Sequence, residues 1–75
     1  MREKIIHELE IICRAHGFNG DPSRFLAKSP QWIASGLQQL GVDPVTVGIV
    51  ASWDDTLSSE EVLSMLRDIN DKGSI

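Results

Sequence analysis

Between residues 21 and 44 the chain writes one helix-start signal three times, as Asp21-Pro22, Ser29-Pro30 and Asp43-Pro44. In each pair a short polar side chain can accept a bond from an orphan backbone N–H. Proline then takes the first helical position, where its missing donor costs nothing and its fixed φ suits the helix. A fourth start stands at Ser58, with Glu61 three residues on and the apolar pair Val62-Leu63 behind it, which is the pattern of a capping box. Gly17, Gly41 and Gly73 fall where helices end. This punctuation predicts an all-α chain, a compact bundle of four to five short helices.

The periodicity fills in the elements. A first helix is expected from about Arg2 to His16, with Ile5, Leu9, Ile12 and His16 on one stripe and Ile6 and Cys13 widening it. Lys4 with Glu8, and Glu10 with Arg14, have the spacing of ion pairs on the wet face. Phe18-Asn19-Gly20 reads as a turn. A short helix from Pro22 to about Lys28 would bury Phe25 and Leu26. The next, from Pro30 to about Leu40, carries Trp32, Ile33, Leu37 and Leu40, and Gly36 would admit a close neighbour. The last runs from about Ser59 to Asn70 on Val62, Leu66 and Ile69, flanked by Leu63 and Met65. Glu60 and Glu61 lie in its first turn, where the helix dipole favours anions. Residues 72–75 read as a frayed tail.

Val45 to Trp53 is ambiguous by pattern. Val45, Val47 and Ile49 alternate as in a strand, and β-branched residues favour one. Val45, Ile49 and Trp53 also fall at helical spacing, and Asp43-Pro44 opens a helix. The chain has no second strand to pair with, and a lone strand has two open edges. The segment is therefore read as a helix, with an intermolecular strand as the alternative and Gly48 as a packing notch.

Seventy-five residues, 41% of them hydrophobic, suit a single α-helical domain over residues 1–75. One cysteine, Cys13, excludes an internal disulfide framework and points to a reducing, cytoplasmic setting. There is no signal-like N-terminus and no apolar run of membrane-spanning length, so neither secretion nor a membrane role is expected. Eleven acids against seven bases give a net charge of −4. Nucleic-acid binding requires a basic stripe, and none is apparent.

Ile33 to Ser52 resembles the helix-turn-helix of bacterial repressors. Leu40-Gly41-Val42 supplies the apolar-Gly-apolar turn, and Val47 and Val50 occupy the apolar positions of the second helix. The resemblance covers about 20 of the 75 residues and implies a helix-turn-helix-like corner at residues 33–52. It departs from the pattern where bases would be read. Leu37 stands where a small alanine is usual, and the reading face carries Asp43, Pro44, Thr46 and Gly48, with no bidentate donor among them. A divergent DNA-binding transcriptional regulator is thus the alternative to the main reading.

Other chemistries lack their parts. Cys13 and His16 share a helix face, but His7 is about two and a half turns away, and two ligands do not make a zinc site. No metal or cofactor is expected. A nucleophile needs a base and an orienting group, and paired carboxylates such as Asp54-Asp55 and Glu60-Glu61 need a pocket that separates their pKa values. The chain reads as non-enzymatic. It is similar to acyl carrier proteins in size, acidity and helix content, yet Ser29 and Ser35 lack the Asp-Ser-Leu neighbourhood of their prosthetic-group serine.

Protein recognition remains. The expected function is a small acidic helical binding module or regulator, an adaptor or inhibitor of another protein, with a homodimer as one form. Small chains of this kind are common among phage and bacterial inhibitors and adaptors, which is an analogy. Tryptophan is rarely fully buried in a thin domain, and it anchors interfaces. The expected contact surface is Trp32, Ile33, Leu37, Ile49, Val50 and Trp53, with an acidic rim at Asp54 and Asp55.

Overall fold

A computed structural model describes residues 2–72. Among them the chain forms α1 (Arg2–Ala15), α2 (Ser23–Leu26), α3 (Pro30–Leu40), α4 (Pro44–Ala51) and α5 (Ser59–Asp71), and no strand. Each helix packs against the next in the chain, and α1 packs along α5 to close the circle. Residues 45–51, whose pattern is also that of a strand, are helical. The alternation of valines gives way because nothing in the chain offers a second edge.

The start signals work by different means. Ser29 Oγ accepts from Trp32 N at 3.4 Å. Ser58 forms the full capping box: its Oγ accepts from Glu61 N at 3.3 Å, and Glu61 Oε1 accepts from Ser58 N at 3.1 Å. Asp43 makes no side-chain cap, so the extended Asp43 backbone and Pro44 open α4 alone. Asp21 turns its carboxylate to Ser23, accepting from the backbone N at 3.0 Å and from the hydroxyl at 2.9 Å.

The stops are sharper. Gly17 and Gly41 take φ of +81° and +91°, a region that only glycine enters without strain. Each lets the following N–H reach back to close the helix, Phe18 N to Cys13 O at 3.0 Å and Val42 N to Leu37 O at 3.0 Å. Gly73 lies outside the described residues. α2 is shorter than its pattern predicts and ends at Leu26. Ser29 precedes a proline and is pushed extended, at ψ 158°, so the helix cannot run on.

The core is one cluster: Ile5, Leu9, Ile12 and Cys13 from α1, Leu26 from α2, Ile33, Ala34 and Leu37 from α3, Val42, Val50, Trp53, and Val62, Leu63 and Leu66 from α5. Glu8 does not pair with Lys4. Its carboxylate and carbonyl oxygens instead accept from Asn70 Nδ2, at 2.8 and 3.3 Å, and tie α1 to α5. α4 departs from its predicted face. Thr46, Val50 and Trp53 point inward, while Val45 is exposed and Gly48 faces open space. The notch lies in α3, where Gly36 carries the ring edge of Phe25 so closely that a Cβ would collide with it.

Candidate functional site

The two tryptophans have opposite fates. Trp53 follows the end of α4 and is folded under by a tight loop in which Leu57 N reaches Ser52 O at 2.9 Å and Asp54 N reaches Leu57 O at 3.0 Å. Asp54 turns that corner at φ +63°. The Trp53 indole N–H donates to Ser59 Oγ at 3.0 Å, and the Arg2 guanidinium lies 4.9 Å from the ring centroid. With its one polar edge bonded and its face covered by a cation, Trp53 is only 2% exposed.

Four members of the expected contact surface are therefore core. Trp53, Ile33, Leu37 and Val50 are enclosed and cannot line an interface. The expectation took a domain this small to be too thin to bury an indole, and the Ser59 bond and the Arg2 cover remove that difficulty. Ile49 is half-buried, and Asp54 and Asp55 are exposed on the loop. Trp32 keeps its place on the surface at 67% exposure, the largest of any big apolar side chain among the described residues.

Trp32 stands on α3 between two shallow depressions. Arg24, Phe25, Ala27 and Lys28 line one with it, and Gln31, Ser35 and Gln39 the other. Beyond Phe25 a third depression runs over Phe18, Gly36, Gln39 and Leu40. Phe18 and Phe25 stack there, with centroids 6.1 Å apart and planes 21° from parallel. Three aromatic rings thus share one side of the molecule, backed by a helix without a single charged residue. The sequence reading missed Phe18, Phe25, Arg24 and Lys28 as members of this face. The signal for the rings is Gly36, whose absent side chain is the seat of Phe25.

The electrostatics of the face are simple. Arg24 and Lys28 are the only arginine or lysine residues between residues 15 and 66. Bonds from the Ser23 backbone N–H and hydroxyl hold the Asp21 carboxyl below its usual range, and that carboxylate is spent on them. Arg2 reaches across to donate to the carbonyls of Leu26 at 3.4 Å and Lys28 at 2.9 Å, satisfying the C-terminal end of α2.

Elsewhere the chemistry is muted. Burial pushes the Cys13 thiol up, with Glu10 adding to it, so thiolate is scarce. His16 Nδ1 donates to Ile12 O at 2.9 Å. Among the described residues no group of three or more His, Cys, Asp or Glu side chains is gathered as a metal would require, and no helix is long and apolar enough to cross a membrane. No family model matches the chain, and neither a curated protein nor a solved structure does.

Proposed function

We propose that this chain is a protein-binding module, a small regulator that acts by docking the α2–α3 face onto another protein. The observation that carries the reading is Trp32, two-thirds exposed on a helix with no charge. Interface cores are depleted in charge and built on tryptophan and other aromatics, while ordinary helix surfaces are salted with Lys and Glu. Phe25 and Phe18 extend the anchor into a band, and Gln31, Ser35 and Gln39 supply a neutral polar rim. A single buried thiol suits a cytoplasmic setting.

The helix-turn-helix-like corner gains no support as a DNA reader. Its outward side, Asp43 at the cap and Pro44, Val45, Gly48 and Ala51 on α4, carries no cation for a phosphate and no bidentate donor for a base edge.

The test compares wild-type and Trp32→Ala baits in quantitative affinity purification from the native cells, with Ile11→Ala as an exposed control on α1. A partner retained by wild type and by Ile11→Ala and lost with Trp32→Ala supports the reading. A partner that survives Trp32→Ala removes it from this face.

A further inference from the structure

We infer that the occupant of the α2–α3 face is an acidic, apolar-rich peptide segment, with an apolar side chain seated on Trp32 and Phe25 and carboxylates on Arg24 and Lys28. The inference rests on the binding-module reading and adds the chemistry of the partner.

The α2–α3 face holds unspent charge. The chain is acidic, at −4, yet its central span places its one arginine and its one lysine on the one face that exposes an indole. Among the described residues neither base has found a partner. The nearest acid in sequence, Asp21, is bonded to Ser23 instead. The carbonyls at the end of α2, which a nearby lysine ordinarily satisfies, are taken by Arg2. No carboxylate of the described residues closes on Arg24 or Lys28. Two exposed cations that line one depression with an aromatic ring therefore await anions that arrive with apolar surface.

Two other occupants fit less well. A nucleic-acid strand would also stack on Trp32, but its unbroken run of phosphates would pass beyond two cations onto a protein of net charge −4. A second copy joined face to face by a two-fold axis would bring like cations together.

The test is selection from a random linear peptide library on immobilised protein, followed by titration of the consensus peptide, synthesised, into wild type and variants. Expected is enrichment of sequences that join Asp or Glu to Leu, Phe or Trp. The consensus peptide should lose about tenfold in affinity on the double reversal Arg24→Glu with Lys28→Glu, the sum of two exposed charge contacts. Changing its acids to Asn and Gln should cost about as much. Circular dichroism of each variant confirms that the helices persist, since all three altered side chains are exposed. Enrichment that needs Trp32 but shows no acidic bias overturns the acidic partner and leaves the face as a docking site. Enrichment indifferent to Trp32→Ala overturns both. Failure to enrich any peptide overturns the inference. So does binding of oligothymidylate, or self-association that Trp32→Ala abolishes, because either assigns the face to a different occupant.

Discussion

Helices α1 and α5 carry Arg2, Lys4, Glu8, Glu10 and Arg14 on one and Glu60, Glu61, Arg67, Asp68 and Asp71 on the other, while α3 and α4 carry no charged residue at all. Both pairs donate side chains to the same core. They differ in what they show to water. The α1–α5 layer presents a solvated, ionic outside and is locked by Asn70 against Glu8. The α3–α4 layer leaves Trp32 and Val45 in water at 67% and 65% exposure. One layer thus shows water an ionic surface, and the other leaves an apolar surplus there that the proposed docking role would use.

The sharpest way to break this division is at the tryptophans. Trp53→Ala empties the core and orphans the Ser59 hydroxyl, and should destabilise by about 3–5 kcal/mol in urea unfolding. A domain of this size has about 4–11 kcal/mol in all, so partial unfolding at room temperature is expected. Gly36→Ala comes next. The new methyl drives Phe25 from its seat and off Phe18, an overpacking cost of about 1–3 kcal/mol, offset by about 1 kcal/mol of gained helix propensity. Thermal melts should show a net loss, and backbone NMR shifts should spread from Phe25 to Phe18.

Ser58→Ala removes the capping box and should cost about 1 kcal/mol. Gly48→Ala meets only open space and should stabilise by about 0.5–1 kcal/mol, the reverse of Gly36→Ala for the same change in a neighbouring helix. Trp32→Ala should move stability by less than about 0.5 kcal/mol. If Trp32→Ala instead lowered the melt more than Trp53→Ala, Trp32 and not Trp53 would be the indole that holds the core.

Much of the fold is legible in the sequence. Ser29-Pro30, Gly41 and Ser58 mark the ends of elements because caps act over three or four residues, within reach of the local sequence. The helical state of α4 followed from the absence of a pairing partner. The proposed docking face is half legible. Trp32 is one residue off the stripe of Ile33 and Leu37, and Ala34 on the other flank shows which side that stripe widens toward. Trp53 lies past the last turn of α4, where helical periodicity says nothing. Its burial depends on a corner at Asp54 and on Ser59 and Arg2, and the last of these stands at the far end of the chain. Arg24 and Lys28 look like ordinary solvated bases until Arg2 and Ser23 are seen to occupy the groups they would otherwise serve.

The opposite burial of the two tryptophans also makes the protein its own spectroscopic instrument. The chain has no tyrosine, so its near-ultraviolet emission comes from two indoles in unlike surroundings. Trp53, dry beneath a guanidinium, emits to the blue and is shielded from dissolved quenchers. Trp32, exposed and sharing a depression with Arg24 and Lys28, should emit to the red and draw an anionic quencher such as iodide toward itself. Iodide-quenchable light then reports what sits on the α2–α3 face, and the light that iodide cannot reach reports whether the core is intact.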